Sequence, residues 1–337
     1  MINKYYDKIQ VVEFDLTSTC QAYCASCSRY VIEDGAIKLN PYIKFNKQVS
    51  VESIEQIFSS ELVADEVSVP MVGSIGDPLA HTNVVEIFET ILKHKPNARI
   101  TAHTNGGLRT PDIYEQLGKI SAASGKKVQL YFSIDGLEDT NHIYREGVIW
   151  KKLAENAQAY IDAGGRAKWK YVIFDWNKHQ VEQARQLSKD MGFQEFEPIL
   201  DRSRGEDREA WNAVRHNIKK KETGRLLNEE FRIPMEKRKD WHTPDTTECL
   251  GTQTVYITPL ETVVPCCKWA TGLQWYEHKA EMSEFMYDDN LPNWNSLHHY
   301  SFDEILKNKF WVKLGDSVQT SETSCTRCLV QCSRVKA

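Results

Sequence analysis

Three of the nine cysteines in this 337-residue chain, Cys20, Cys24 and Cys27, fall within a single short stretch, "CQAYCASC". A structural zinc site wants four ligands, usually as two paired knuckles. Only one triplet is present here, and the next cysteine is Cys249. Thiolates also hold four-iron clusters, and three of them bind three irons and leave the fourth open to an outside ligand. The spacing therefore favours a cluster with a position kept for a substrate or cofactor. The competing reading is a zinc ion completed by a distant side chain, such as one of the ten histidines. It is the weaker reading, because catalytic zinc rarely uses three clustered thiolates.

Other stretches carry groups that such a site could use. "GSIGDP" (73–78) has Gly73 and Gly76, which let a ligand approach the backbone, and Asp77, a carboxylate for a cation. "TNGG" (104–107) supplies Asn105, and "SIDG" (133–136) puts Ser133 and Asp135 at alternate positions. His103 and Asp175 also fall near strand ends, where they could face a substrate or move a proton. Each feature alone has an ordinary explanation in turn chemistry, a satisfied histidine or a solvated aspartate. Their common position behind strands is what draws them together.

Those strands are short β-branched runs at 11–16, 66–73, 98–103, 128–134, 168–174 and 195–200. Helical patterns separate them. Ser50 caps one whose apolar face is Val51, Ile54, Ile57 and Phe58, and Thr110 with Pro111 opens another. Val84, Ile87, Phe88, Ile91 and Leu92 form one more apolar face; Gly164–Gly165 and Gly192 stop two later helices. Alternation of this kind predicts an α/β fold with a parallel sheet, either doubly wound or curved into a partial barrel. In both, ligands lie at the carboxyl ends of the strands, so the four loops should converge.

The alternation stops near residue 200, giving a core over 1–200, a charged helical connector over 201–248, and a small cysteine-rich domain over 249–337. Net charge is −5, which gives no electrostatic case for nucleic acid, and the run Lys219–Lys221 is followed by acidic residues as a solvated helix face would be. No apolar stretch reaches membrane-spanning length, and "MINKYYDKIQ" lacks the apolar core of a signal peptide. A cytoplasmic setting, with reduced cysteines available to metal, is expected.

Cys20-x3-Cys24-x2-Cys27 behind a first strand resembles the signature of the radical S-adenosylmethionine (radical SAM) superfamily. The resemblance runs to about residue 200. It implies a partial (β/α)6 barrel in which the amino and carboxylate groups of S-adenosylmethionine chelate the open iron. Reductive cleavage then releases a 5′-deoxyadenosyl radical that abstracts a substrate hydrogen. "GSIGDPL" (73–79) sits where the family has a Gly-Gly-Glu-Pro-type loop for the methionine amino group. "SIDGLEDTNHIYR" (133–145) is similar to a stretch of members bearing a C-terminal SPASM or twitch domain. By that similarity Ser133 and Asp135 face the cofactor's methionyl or ribose portion and Arg145 pairs with its carboxylate. Two departures stand out: Ser26 precedes the third cysteine, where the family often has an aromatic residue, and Asp77 replaces glutamate.

The remaining cysteines are Cys249, Cys266, Cys267, Cys325, Cys328 and Cys332. Taken alone, Cys249, one of the adjacent pair, Cys325 and Cys328 would suggest a zinc ribbon. "VYITPLETVVPC" resembles the hairpin of the SPASM/twitch extension, with Glu261 in place of its usual glycine, and that resemblance implies one auxiliary [4Fe–4S] cluster on Cys249, Cys266, Cys325 and Cys328. Adjacent residues in extended chain point to opposite sides, so Cys267 is an alternate to Cys266, as is Cys332 elsewhere. The implied partners are a peptide, protein or small-molecule substrate and an electron donor such as flavodoxin or ferredoxin. With strand one starting near residue 11, no room is expected for an N-terminal leader-peptide-binding domain, which keeps a small-molecule dehydrogenase or epimerase as an alternative. A zinc-binding scaffold protein is the non-enzymatic one.

Overall fold

The computed structural model describes residues 2–24, 26–33, 36–200, 248–267, 269–270, 286, 291 and 293–318. The chain opens with strand β1 (Ile9–Phe14), the hairpin β2 (Tyr30–Glu33) and β3 (Ala36–Leu39), helix α1 (Val51–Ser59) and strand β4 (Val63–Met71). Then follow α2 (Val84–His94), β5 (Arg99–Thr104), α3 (Pro111–Ala123), β6 (Val128–Ser133), the short α4 (Asn141–Tyr144) and α5 (Trp150–Asp162). Next come β7 (Arg166–Ile173), α6 (Val181–Asp190) and β8 (Glu195–Leu200). Further along lie α7 (Glu248–Gly251), β9 (Thr254–Ile257), β10 (Val263–Val264), α8 (Phe302–Lys307) and α9 (Lys309–Ser317).

The main sheet has the order β10-β9-β1-β4-β5-β6-β7-β8. Every neighbouring pair is parallel except β10 with β9. From β1 to β8 the spatial order follows the chain order without reversal. A doubly wound sheet reverses its order at a switch point, so the six-strand alternation takes the barrel-type arrangement instead. Right-handed crossovers in a sheet that never reverses put all its helices on one face. The predicted strands all form, though β4 begins at Val63 because Val63, Ala64 and Val67 bury around the exposed Asp65 and Glu66.

Period-two alternation separates the two faces of the sheet. β5 buries Ile100, Ala102 and Thr104 on one side, and β7 buries Ala167, Trp169 and Tyr171. This side packs under the helices, where Phe132 meets Tyr114, Tyr160 and Phe193 at centroid distances of 6.1, 6.1 and 5.6 Å. Thr101, His103, Tyr131, Ser133, Lys168 and Lys170 alternate with those residues and stay half-exposed on the other face. Ser50 caps α1 by accepting from the Ser53 N–H at 3.1 Å, whereas the Thr110 side chain makes no capping bond and α3 relies on Pro111 at its first turn.

The described part of 249–337 leans on the amino-terminal strand. β9 pairs with β1 from Val11↔Thr254 to Phe14↔Ile257, and the Ser60 hydroxyl donates to Asp303 at 2.5 Å. Trp311 is fully buried beside Tyr6, with ring centroids 5.4 Å apart, and its indole N–H donates to the Ile305 carbonyl at 2.8 Å. Trp294 is buried with it, while Trp275 and Tyr276 lie outside the described residues, as do the connector 201–247 and its lysine run. Trp311→Ala should cost about 3–5 kcal/mol of unfolding free energy, read from the denaturant midpoint.

Candidate functional site

The loop after β1 carries the cysteine triplet, with Cys24 buried and Cys20 and Cys27 half-buried. Its path is held by the chain itself. The Cys27 N–H donates to the Cys24 carbonyl at 3.1 Å, and Arg29 donates to the Cys20 and Ala22 carbonyls at 2.9 and 3.4 Å. Donors also point at the sulfurs: the Ala22 N–H lies 3.4 Å and Asn105 Nδ2 3.5 Å from Cys20 Sγ, and Arg145 Nη1 lies 3.6 Å from Cys24 Sγ. Burial pushes the Cys20 thiol up to about 12, helped by the Asp77 charge, and burial with the Cys24 neighbour pushes Cys27 up to about 11. As free thiols these groups stay protonated at neutral pH; a metal's charge is what makes thiolates tenable here. Among the described residues no three His, Cys, Asp or Glu side chains gather around a single-ion position. Three clustered thiols with N–H donors aimed at two of the sulfurs are a donor set that suits an iron–sulfur cluster.

The loop after β4 closes on the cysteine loop through close backbone packing. Gly73 takes a positive φ of 69°, and a Cβ at Gly76 would sit 1.9 Å from the Thr17 carbonyl oxygen. The Ser28 hydroxyl donates to the Ser74 carbonyl at 2.5 Å, and the Asp77 N–H donates to Thr19 at 2.9 Å. Asp77 is buried and its carboxylate is occupied from within the chain. It accepts from the Leu79 N–H at 3.0 Å, Thr104 Oγ1 at 3.1 Å, the Asn105 N–H at 2.8 Å and Asn105 Nδ2 at 2.7 Å. Burial raises its pKa, against those hydrogen bonds. Asn105 in turn accepts from Gln21 Nε2 at 2.7 Å.

The loop after β6 builds a buried ion pair. Asp135 is wholly buried, receives Arg145 Nε at 2.6 Å on one carboxylate oxygen and the Val172 N–H at 2.7 Å on the other. Asn141 accepts from the Asp135 N–H at 2.9 Å, and Asn177 donates to the Asp135 carbonyl at 2.9 Å. Arg145 thus spans from Asp135 to Cys24. Ser133 lies half-buried on the inner face, opposite Lys170 in register.

A third buried carboxylate joins this edge to the C-terminal hairpin. Asp15, just past β1, accepts from the Ser74 N–H at 2.6 Å and from the Tyr256 hydroxyl on β9. Burial lifts it to about 6 in spite of both bonds.

His103 sits on the inner face against Tyr131, with ring centroids 4.7 Å apart. Burial, then the charge of Lys170, pushes it down to about 4. Asp175 follows β7; one oxygen meets Lys178 Nζ at 3.5 Å and the other is buried with no partner among the described residues. Cys249 is buried in α7, and Cys266 and Cys267 are half-buried just past β10. Cys325, Cys328 and Cys332 lie outside the described residues. The four loops named from the sequence therefore meet, joined by residues the sequence did not single out: Gln21, Arg29, Thr104 and Tyr256. Arg29, two residues past Cys27, carried the nearest thing to a signal.

The sequence pattern described as "Radical SAM superfamily" matches residues 15–187, just over half of the 337 residues. The chain belongs to the radical SAM superfamily, whose members are enzymes, and its sheet is that family's partial barrel. Among solved structures it resembles Streptococcus suis SuiB bound to S-adenosylmethionine, with 15% identity and a TM-score of 0.53, over 96% of this chain and 77% of that one. It also resembles native anSMEcpe with bound AdoMet, at 14% identity and a TM-score of 0.52, over 92% of this chain and 82% of that one. No curated protein matches in sequence. No helix among the described residues is long and apolar enough to cross a membrane.

Two outcomes test the polar frame. Arg145→Met should destabilise the protein by about 3–5 kcal/mol in chemical denaturation, because it strands a buried carboxylate. Asp15 holds its proton in the folded chain between its ordinary 3.8 and about 6, where the unfolded chain has lost it. Its contribution to stability is complete below about pH 4 and is lost as pH rises through about 6. Asp15→Asn should remove that loss, on the order of 3 kcal/mol, seen as the difference between the two proteins' urea midpoints at pH 4 and pH 7.5.

Proposed function

We propose that this chain is a radical SAM enzyme in which Cys20, Cys24 and Cys27 hold a [4Fe–4S] cluster and that it modifies a peptide or protein side chain. The observation that carries the cluster assignment is the set of N–H donors, from three different loops, aimed at the Cys20 and Cys24 sulfurs. Hydrogen bonds to ligating sulfurs stabilise their negative charge and tune the metal they hold. When bound, the reduced cluster with S-adenosylmethionine supplies a 5′-deoxyadenosyl radical that takes a hydrogen atom from an unactivated C–H bond.

The chain's own residues have the remaining tasks. Asn105 and Arg145 orient Cys20 and Cys24, and Asp77 holds Asn105 in place. Gly73, Gly76, Ser133 and Asp135 would hold S-adenosylmethionine at the strand ends, Asp135 by fixing Arg145, whose guanidinium would pair with the cofactor's carboxylate beside the cysteine loop. The Asp77 carboxylate acts through Asn105, since its oxygens already accept four hydrogen bonds. His103 is neutral above about pH 4, so on the inner face it is a base or an acceptor toward substrate.

The peptide reading is supported by the likeness to Streptococcus suis SuiB bound to precursor peptide SuiA, at 14% identity and a TM-score of 0.52 over 96% of this chain and 76% of that one. A second, auxiliary [4Fe–4S] cluster on Cys249, Cys266, Cys325 and Cys328 belongs to the same proposal, with Cys267 and Cys332 as alternates. Cys249 and Cys266 flank one hairpin, β9–β10, as two ligands of one centre would. Flavodoxin or ferredoxin would supply the electron, and a soluble cytoplasmic setting suits both.

Anaerobic reconstitution should give roughly eight irons and eight sulfides per chain. Replacing Cys20, Cys24 and Cys27 together by Ala should halve the iron and abolish S-adenosylmethionine cleavage. Tightly bound zinc without labile sulfide would sink the proposal. Screening peptides beside a metabolite panel for 5′-deoxyadenosine release separates peptide modification from small-molecule dehydrogenation.

A further inference from the structure

The inner face of the sheet has an unbalanced row of charge. β7 places Arg166, Lys168 and Lys170 on this face, and β8 answers with Glu195 and Glu197. Arg166 Nη2 reaches Glu195 at 2.9 Å, and Lys168 Nζ reaches Glu195 at 3.2 Å and Glu197 at 3.0 Å. Three cations thus face two carboxylates, and both carboxylates are engaged by the first two. Lys170 has no carboxylate partner within ion-pair distance among the described residues.

Of the three cations in this row, Lys170 lies furthest along β7 toward the strand ends. Its carbonyl accepts from the Ile134 N–H at 3.0 Å, next to Asp135, and Val172, two residues on, donates to the Asp135 carboxylate. Its ammonium stands 5.8 Å from the centre of the Tyr131 ring, with Lys168 Nζ at 5.1 Å from the same ring and the His103 ring tilted against it. Such a ring holds an ammonium in position without neutralising it. Glu197, opposite Lys170 in the ladder, is turned to Lys168 instead, and of the other neighbours Tyr131 is neutral and His103 is uncharged above about pH 4. A half-buried ammonium kept unpaired costs free energy unless an outside anion completes it.

We propose that Lys170, with Tyr131 and His103 around it, is a binding site for a carboxylate of the substrate, placed on the inner face of the sheet. One unmatched positive charge fits a monoanion, so a carboxylate matches it where a phosphate dianion would not. For a peptide substrate this is an acidic side chain or a C-terminal carboxylate. The assignment rests on the radical SAM reading, and it adds that the substrate is anchored by its charge while the C–H bond to be broken lies nearer the strand ends.

The test uses the reconstituted holoenzyme and two readouts. N-Acetylglutamate amide (free γ-carboxylate), N-acetylglutamine amide and inorganic phosphate serve as probes, with lysine acylation followed residue by residue by mass spectrometry. Acylation of Lys170 should slow several-fold with the glutamate probe, while the ion-paired Lys168 in the same protein changes little. The neutral glutamine probe should leave Lys170 as reactive as without ligand. With a substrate found by the 5′-deoxyadenosine screen, Lys170→Gln should raise KM by about 30-fold or more, and Lys170→Arg should recover most of it. Amidating the substrate's carboxylate should then cost the wild type as much and Lys170→Gln little further. No protection by the glutamate probe, equal protection by the glutamine probe, protection by phosphate alone, or an unchanged KM in Lys170→Gln overturns the assignment. Any of these in a protein with full iron and S-adenosylmethionine cleavage leaves the radical SAM reading standing; absence of iron and of cleavage is the failure of that reading instead.

Discussion

The buried carboxylate of Asp77 is the tie on which the reactive edge depends. It belongs to the loop after β4, yet the backbone and side chain of Asn105 after β5 and the hydroxyl of Thr104 all bond to it. Asn105 then reaches Cys20 and Gln21 in the loop after β1. Three loops separated along the chain by whole strands and helices are thereby held to one another through a single charged group. A charge buried this deeply is stable only while its hydrogen bonds are complete, so the loops cannot separate without stranding it. Asp135 repeats the device one strand further on, gathering Arg145 and the Val172 backbone.

These carboxylates rest on the geometry of the sheet. Parallel strands in sequential order bring every carboxyl-terminal loop to one side, and the helices cover only one face. The opposite face is free to carry polar residues, which is why His103, Tyr131, Ser133, Lys168 and Lys170 are half-exposed in strands whose alternate residues are fully buried. The division between a packed outer layer and a charged inner one is a direct result of period two in a one-sided sheet.

Most of the core could be read from the sequence because its signals are local. Runs such as 128–134 and 195–200 are strands by composition, and Ser50 caps α1 as its position suggests. The hairpin β2–β3 leaves no comparable local signal: it is a two-stranded sheet apart from the main one. The loops that carry Cys20, Asp77, Asn105 and Asp135 were anticipated as a set. Their partners were not, since Asp77–Asn105, Asp135–Val172 and Asp15–Tyr256 are pairs made by tertiary contact and leave no trace in local spacing. The unmatched cation at Lys170 was hidden for the same reason: it shows only when β7 and β8 are laid in register.

The pairing of β9 with β1 has a further consequence, for the order in which the protein is made. Tyr256 and Asp15 are 241 residues apart in the chain. During synthesis β1 can acquire β4 early, but its other edge waits with unpaired N–H and C=O groups until 254–257 emerges from the ribosome. Through that interval the Asp15 carboxyl lacks its hydroxyl partner and the cysteine loop is anchored from one side only. The barrel's first strand is thus its last to be completed, and a truncated chain ending before β9 would present an open edge directly beside three reduced thiols.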